Sequence, residues 1–243
     1  MRNARGFTIV ELLIVIVVIG ILAAITIVAF NGIQERARIA SGTAFAAQIK
    51  RQNLQDATGS WSFDECSGTT LNNTADGSTT PATMTSGVTW STDTPSGSGC
   101  SLAFNGAGGT RVLTDARLST TYYMKAAWIK MTSCSTGNNI LSMPATGSPD
   151  AAMYAPGCRL QAGHNGSYGV AIMSGALSAG KWYHVAVEYV DSSLKLYVDG
   201  KVIATASSVS PPANATETGI SIGSHGNGNT MTGLIDDPII IAR

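Results

Sequence analysis

Charge, histidine and early proline are all scarce in this sequence of 243 residues. Only 12% of the residues are charged, and 15 basic against 15 acidic side chains leave a formal net charge of +0. No basic cluster follows Arg51, so bulk electrostatics do not favour nucleic-acid binding. The histidines, His164, His184 and His225, lack metal-ligand spacing, and the sequence contains no CxxC motif and no phosphate-binding loop. Neither a zinc site nor a nucleotide site is therefore predicted.

The N-terminal part contains one long apolar run that carries a single charge, Glu11. From Leu12 to Phe30 no side chain is charged, and about 19 residues of helix span roughly 28 Å, close to the hydrocarbon thickness of a bilayer. A secretory signal peptide has a shorter apolar core, and a buried core helix is less favoured because the run is apolar on all sides. A plain membrane anchor explains the run but not Gly6-Phe7 or Glu11, which needs a partner in lipid.

The residues Gly6-Phe7-Thr8-Ile9-Val10-Glu11-Leu12 resemble the processing site of type IV pilins and type II secretion pseudopilins. The resemblance implies a basic leader, Met1–Gly6, that a prepilin peptidase removes after Gly6, and N-methylation of the new terminus at Phe7. The family glutamate is the fifth residue of the mature chain, and Glu11 falls at that place. Its implied role is assembly, because the α-amino group of a neighbouring subunit can neutralise its charge inside a filament.

The helical pattern continues beyond the apolar run with a face of mostly small residues. The residues of this face are Ile33, Ala37, Ala40, Ala44 and Ala47. No proline precedes Pro81, so Gly20 and Asn31-Gly32 are the evident weak points of the helix. The pattern predicts that the helix fades near Asp56–Gly59, with one side free to pack on a globular head and the other on neighbouring helices.

From Trp61 onward, turn residues separate short alternating segments, which predicts an antiparallel β-sandwich. Residues 67–99 are rich in Ser, Thr and Gly and are predicted to be loops with one short strand near Val88–Trp90. The other predicted strands are Ser101–Asn105, Arg111–Leu113, Tyr122–Met131, Asn139–Ser142, Cys158–Ala162, Tyr168–Met173, Lys181–Tyr189, Leu194–Val198, Val202–Ala206, Gly219–Gly223 and Leu234–Ala242. Asp199-Gly200 predicts a primed hairpin turn, and Pro238 predicts a bulge or an edge in the last strand.

These strands carry a second resemblance. Gly180–Ala186, Leu196–Lys201 and Gly233–Asp237 are similar to the laminin-G-like branch of the concanavalin A-like lectin/glucanase domains, as are the earlier segments Ser101–Gly106 and Ala126–Lys130. The resemblance implies a jelly-roll sandwich whose recurring residues are largely structural. The predicted fold class is thus α+β, with a long pilin-type helix followed by an antiparallel sandwich. The predicted domains are residues 1–6 as leader, 7–58 as helix with its apolar part at 7–30, and 59–243 as head.

Catalysis is not expected of this head. Some relatives of the fold hydrolyse glycans with a Glu-x-Asp-x-x-Glu motif on one strand, and the sequence lacks that motif. A structural calcium ion is the one cofactor worth weighing, with Asp64, Glu65, Asp236 and Asp237 as candidate ligands if the first and last strands pair. The alternative is that these carboxylates cap turns and satisfy backbone donors.

The ligand-binding residues of the head cannot be named from the sequence, but three aromatic side chains stand out. His184 lies in a strand pattern and is expected to be a packed structural residue. His225 lies in the glycine-rich segment Gly223–Asn229, which can contact a ligand or be an ordinary solvated loop. Trp90 is the aromatic candidate for stacking on a sugar, and its alternative role is packing in a satellite core.

The four cysteines, Cys66, Cys100, Cys134 and Cys158, all follow the apolar run. Their even number and the absence of a zinc pattern predict disulfides in an oxidising compartment. Three pairings are open, and we favour Cys66–Cys100 with Cys134–Cys158 because each bond closes a loop within one half of the head.

The sequence predicts a type IV pilin-like structural subunit, a minor or tip pilin, whose head mediates adhesion to a glycan or a surface protein. The alternatives are a type II secretion or competence pseudopilin, and a membrane-tethered carbohydrate-binding module that does not polymerise. The expected partners are other pilin subunits and the prepilin peptidase, with no nucleic acid. The expected location is the bacterial inner membrane, through a single-pass helix, and then the extracellular pilus at the cell surface.

Overall fold

A computed structural model describes residues 6–75, 80–143, 151–213, 219–225 and 228–243, so the leader residues 1–5 lie outside the described residues. The chain divides into two compact units, Met1–Ala40 and Ser41–Arg243. Within the described residues there is one α-helix, α1 (Ile9–Asn53). The strands are β1 (Ala57–Ser60), β2 (Thr70–Leu71), β3 (Ala82–Met84), β4 (Val88–Ser91), β5 (Ser101–Asn105), β6 (Val112–Leu113), β7 (Tyr122–Met131), β8 (Leu141–Ser142), β9 (Ala152–Tyr154), β10 (Gln161–His164), β11 (Ser167–Ile172), β12 (Tyr183–Val190), β13 (Ser193–Val198), β14 (Lys201–Ala206), β15 (Ser221–Ile222) and β16 (Thr232–Ala242).

The first unit contains the apolar part of α1. Among the described residues, α1 is the one helix that is long and apolar enough to cross a membrane. Its apolar side chains from Ile9 to Ile33 are exposed. A helix that is apolar all round suits an apolar environment such as lipid or other apolar helices.

The second unit is an antiparallel β-sandwich, which confirms the predicted fold class. Its largest sheet has the order β14-β13-β12-β7-β16-β5-β4, and β1 also pairs with β16. The sheet β2-β3-β6-β15-β8 and the small sheet β11-β10-β9 complete the strands. The pairing between β7 and β16 runs from Gly233–Met131 to Ala242–Tyr123.

Alternation along the central strands separates two apolar clusters. Tyr123, Ala127 and Ile129 of β7 point into the main core between the sheets, together with Val185 and Val187 of β12. Met124 and Ala126 of β7 and Ala186 of β12 belong to a second cluster on the outer face. The residues of this outer cluster are Ile49, Ala57, Ala75, Met124, Ala126, Ala186, Ile239 and Ile241. Ile49 lies on α1, so the last turns of the helix cover the outer face of the large sheet.

The helix residues that pack on this sheet lie largely outside the small-residue face, whose partner the sequence analysis leaves open. Ala44 is exposed, whereas Gly42 and Ile49 are buried and Phe45 is half-buried. Phe45 and Ile49 bury more apolar area than alanines would, so they determine which side of these turns faces the sheet. Gly42 allows the close approach, because a Cβ atom there would lie 2.6 Å from the Trp128 ring.

The hairpin turns follow the local chemistry of the sequence. Asp191 and Ser192, between β12 and β13, have φ angles of 48° and 57°. Asp199 and Gly200, between β13 and β14, have φ angles of 49° and 80°. Two consecutive positive φ angles are typical of a type I′ turn, whose backbone twist matches that of the two strands it connects. The turn predicted at Asp199-Gly200 is therefore confirmed.

The last strand lies in the middle of its sheet and contains a bulge. Its register against β7 shifts between Asp236 and Ile239, around Pro238. On its other side β5 pairs with the first half of β16 and β1 with the second half. The Pro238 carbonyl accepts a hydrogen bond from the Trp61 N–H at 3.1 Å. Of the two predicted roles of Pro238, the bulge is the observed one.

Several predicted boundaries differ from the observed ones. The α-helix ends at Asn53, and Ala57–Ser60 form β1 because β16 offers them unpaired backbone groups. The segment 67–99 contains β2 and β3 in addition to the predicted strand near Val88. Cys158 lies in a 3-10 turn, Pro156–Cys158, and the strand begins later, at Gln161. These elements are two to four residues long and depend on their partners rather than on local propensity.

Candidate functional site

The predicted processing and assembly residues lie at the start of α1. The Thr8 backbone N–H donates to Glu11 Oε2 at 2.9 Å, and the Thr8 hydroxyl donates to the same oxygen at 2.7 Å. In return the Glu11 N–H donates to Thr8 Oγ1 at 3.2 Å. This reciprocal pattern is a capping box, in which two otherwise unsatisfied backbone donors are bound by side chains. Glu11 therefore has a helix-capping contact within its own chain, and its assembly role stays a prediction, as do the processing roles of Gly6 and Phe7.

The four cysteines form two disulfides in the combination that the sequence analysis favours. Cys66 is bonded to Cys100, with their Cα atoms 5.5 Å apart, and Cys134 to Cys158, with their Cα atoms 5.0 Å apart. The first bond closes a segment of 34 residues and the second a segment of 24 residues. Both therefore constrain loops of the head.

The candidate calcium ligands are largely occupied by protein contacts. Asp237 Oδ1 lies 2.7 Å from Lys50 Nζ, and Glu65 Oε1 accepts from the Asn72 N–H at 2.8 Å. Asp236 Oδ1 accepts from the Asp237 N–H at 2.8 Å. In the part of the chain that the structure describes, no group of three or more His, Cys, Asp or Glu residues is placed to hold a metal ion. The calcium site stays a prediction.

Asp236 is an acid with an unusual environment. Its side chain is buried, and this burial together with the adjacent Asp237 carboxylate raises the pKa of Asp236 to about 8. The unfolded chain ionises near the ordinary value, so between about pH 4 and pH 8 the folded chain binds more protons. The contribution of Asp236 to the free energy of unfolding therefore falls as the pH rises through that window.

Asp236→Asn is expected to remove this penalty, because the amide oxygen can still accept the Asp237 N–H. The free energy of unfolding should change little near pH 4 and rise by a few kcal/mol near pH 8. Thermal melts of the native chain and the variant across this range test the prediction, since titrating groups that do not interact with Asp236 cancel in the difference between the two chains. A difference that does not grow with pH would contradict it.

The head contains a cavity of about 210 Å³ at the small sheet. Its described lining residues are Asn139, Ala152, Tyr154, Tyr168, His225 and Asn229. Tyr168, on β11, is 39% exposed, and its ring meets the His225 ring edge-on at 5.8 Å between centroids. Asn139 is only 2% exposed, and its Oδ1 atom has no hydrogen-bond partner. None of these lining residues is an acid, a lysine or an arginine.

A polar framework positions Asn139 at this cavity. Its neighbour Asn138 donates from Nδ2 to the Ser133 carbonyl at 2.7 Å and accepts at Oδ1 from the Thr232 N–H at 3.0 Å. The backbone of Asn139 pairs with that of Tyr154 in an isolated bridge. The Cys134–Cys158 disulfide joins this segment to the turn that follows Tyr154. The cavity wall is therefore cross-linked on one side.

Only part of this cavity has a local sequence signal. His225 lies in a glycine-rich segment, whereas Asn139, Tyr154 and Tyr168 come from separate segments without such a signal. The other two aromatic candidates have structural contacts. Trp90 packs against the main core, and its Nε1 donates to the Gly68 carbonyl at 2.9 Å.

His184 is a packed residue, as expected. Its ring meets the Phe45 ring at 5.6 Å and the Trp128 ring at 5.3 Å, both edge-on. Burial lowers the pKa of His184 to about 3, so the ring is neutral at physiological pH. It belongs to the apolar contact between α1 and the large sheet.

Comparison with known families and curated proteins separates the chain into two parts. Residues 1–27 match the prokaryotic N-terminal methylation motif, and residues 104–243 match the concanavalin A-like lectin/glucanases superfamily. A type IV major fimbrial protein FimA of Dichelobacter nodosus is 42% identical over 71 residues, which cover 28% of this chain and 40% of the relative. Another FimA of that organism is 46% identical over 55 residues, covering 21% and 34%. The chain thus spans at most two fifths of these relatives.

Solved structures resemble the sandwich. Domain 4 of AbnA, an arabinanase of Geobacillus stearothermophilus in complex with arabinotriose, matches with a TM-score of 0.62 at 18% identity, covering 76% of this chain and 92% of that one. A Trypanosoma rangeli sialidase in complex with sialic acid matches with a TM-score of 0.54 at 14% identity, covering 76% and 30%. At such identities the likeness shows the fold alone. The pilin-type N-terminus, the sandwich and the disulfides agree with the sequence-based predictions.

Proposed function

Because the chain belongs to the concanavalin A-like lectin/glucanase superfamily and begins with a prokaryotic methylation motif, we propose that it is a minor or tip pilin-like subunit with an adhesive head. The observation that carries the proposal is the presence in one chain of a prepilin motif, a helix long enough to cross a membrane and a lectin-like sandwich. The prepilin motif, the apolar helix and the sandwich each occur in proteins of other functions, whereas their combination suits a polymer that displays a binding domain.

The proposed sequence of events begins in the inner membrane, where the apolar part of α1 holds the precursor. The prepilin peptidase cuts after Gly6 and leaves Phe7 as the new terminus. The apolar helices then pack against one another in a filament, which buries the side chains that are exposed in the single chain. The Glu11 carboxylate pairs with the amine of a neighbouring subunit and so loses its desolvation penalty.

The head is proposed to bind rather than to cleave. In most families glycoside hydrolysis uses a pair of carboxyl groups, one on each side of the bond that breaks. The described lining of the head cavity offers aromatic rings and amides but no carboxyl group. Aromatic rings and amides suit the recognition of a glycan, and the surface partner of the head is accordingly proposed to be a glycan.

Mass spectrometry and immunogold labelling of sheared fibres test this function. The N-terminal peptide is expected to begin at an N-methylated Phe7, and an antibody to the head is expected to decorate surface fibres. Label confined to short structures within the envelope would favour a secretion pseudopilin instead. A diffuse membrane label, or a recovered chain that still begins at Met1, would refute polymerisation and favour a tethered binding module.

A further inference from the structure

We infer that the cavity lined by Tyr154 of β9, Tyr168 of β11 and His225 binds one neutral sugar residue of a glycan. This inference rests on the proposed adhesive function of the head and names its binding site and ligand class. It depends on three features of the cavity: its size, its aromatic and amide lining, and the absence of charged side chains among its described lining residues.

The size of the cavity limits the ligand to about one ring. Pockets for drug-sized molecules measure about 300–1,000 Å³. A cavity of about 210 Å³ is smaller and accommodates a single sugar ring, while the rest of an oligosaccharide extends into solvent. The ligand is therefore bound through one residue at the end or side of a glycan.

The aromatic lining provides a surface for the apolar face of a sugar. Tyr168 is 39% exposed although it lies on a strand, and its ring orientation is supported by the edge-on contact with His225. An exposed ring that is held in place loses little conformational entropy on binding. Tyr154 forms the neighbouring wall, and its hydroxyl donates to Gln161 Oε1 at 3.1 Å.

The buried amide of Asn139 is the second and independent indication of a ligand. An acceptor that is removed from water without a hydrogen bond costs free energy, and buried side-chain oxygens are therefore normally paired. Asn139 Oδ1 is buried, lines the cavity and has no partner in the protein. A sugar hydroxyl is a donor of suitable size for this oxygen, and Asn229, an exposed lining residue, adds a second amide.

The absence of charge in the described lining selects against acidic sugars. A carboxylate that enters a pocket needs a charged donor, most often an arginine that binds both oxygens. No arginine or lysine is among the described lining residues. Sialylated glycans are therefore expected to bind through this cavity much more weakly than neutral ones.

The test uses the purified full-length chain in detergent and an array of immobilised oligosaccharides. The array carries neutral termini (galactose, glucose, arabinose and N-acetylglucosamine) and the same backbones capped with sialic acid. The native chain is expected to bind a subset of the neutral probes. Tyr168→Ala and Asn139→Ala are each expected to weaken this binding at least about tenfold.

Ile172→Ala is the matched control for Tyr168→Ala. Ile172 lies on the same strand, is 43% exposed, and is not among the described lining residues. Its removal should change sugar binding less than about twofold. Asn139→Ala removes an unpaired acceptor, so its melting temperature should stay close to that of the native chain. A loss of binding without a loss of stability assigns the amide to the ligand.

The inference is overturned if the native chain binds only the sialylated probes or none, or if Tyr168→Ala binds like Ile172→Ala. Fibre assembly is scored separately for each variant by shearing. Variants that assemble but do not bind sugar support the inference. A native chain that binds neutral sugars but never enters fibres refutes the proposed pilin function and leaves the cavity assignment intact.

Discussion

Glu11→Gln is expected to abolish incorporation into surface fibres while leaving the chain in the membrane. Glutamine can still accept from Thr8, so the capping box and the start of α1 are kept. The variant loses only the negative charge that a neighbouring amine would neutralise. We expect the fibre-associated fraction to fall at least about tenfold, as a loss of about 1.4 kcal/mol per contact would produce. Immunoblots of sheared fibres and of membranes measure the two fractions.

Thr8→Ala is the control that separates assembly from helix capping. It removes the hydroxyl contacts with Glu11 but keeps the carboxylate. The loss of a cap costs about 1 kcal/mol of helix stability, which a helix inserted in lipid tolerates. Fibres should therefore persist in this variant. If Glu11→Gln assembles normally and Thr8→Ala does not, the glutamate acts as a helix cap, and the charge-pairing mechanism is wrong.

The parts of the fold that the sequence predicts are those with strong local signals. The Asp199-Gly200 turn and the long strand β7 follow from turn chemistry and from alternation, and both have their predicted bounds. The parts that it misses depend on contacts between distant segments. In the sequence Ala57–Ser60 resembles the end of a helix, but in the fold it forms a strand because it pairs with the backbone of β16. Ala44, on the small-residue face, is exposed, whereas Phe45 packs on the sheet because its side chain buries more apolar area.

The cavity of the head illustrates the same limit. Asn139, Tyr154, Tyr168 and His225 are far apart in sequence, and each looks ordinary in its own segment. The antiparallel order β11-β10-β9 brings the two tyrosines together, and the Asn139–Tyr154 bridge adds the amide. What marks the site is an unpaired buried oxygen, which no sequence pattern reveals. Only the glycine-rich segment around His225 gave a local signal.

Replacing Cys134 and Cys158 together by alanine is expected to lower stability and to abolish sugar binding. A bond that closes 24 residues restricts the unfolded chain, and its loss costs about 3 kcal/mol, or about 6–12 °C in melting temperature. The same bond fixes the segment that ends at Asn139 to the turn after Tyr154. Without it, the amide and the aromatic wall are no longer held in one arrangement, so binding to the neutral-sugar array should fall below detection at temperatures where the head is still folded.

The Cys66–Cys100 bond provides the matched comparison. It closes a segment of similar length, 34 residues, so its removal should cost about as much stability. Neither of its cysteines lies among the described residues of the cavity wall, so sugar binding by the folded fraction should persist in that variant. Equal losses of sugar binding in the two double variants would mean that only global stability matters. A loss confined to Cys134/Cys158 would show that the disulfide preorganises the binding site, because the two variants differ in where the chain is released and not in how much stability they lose.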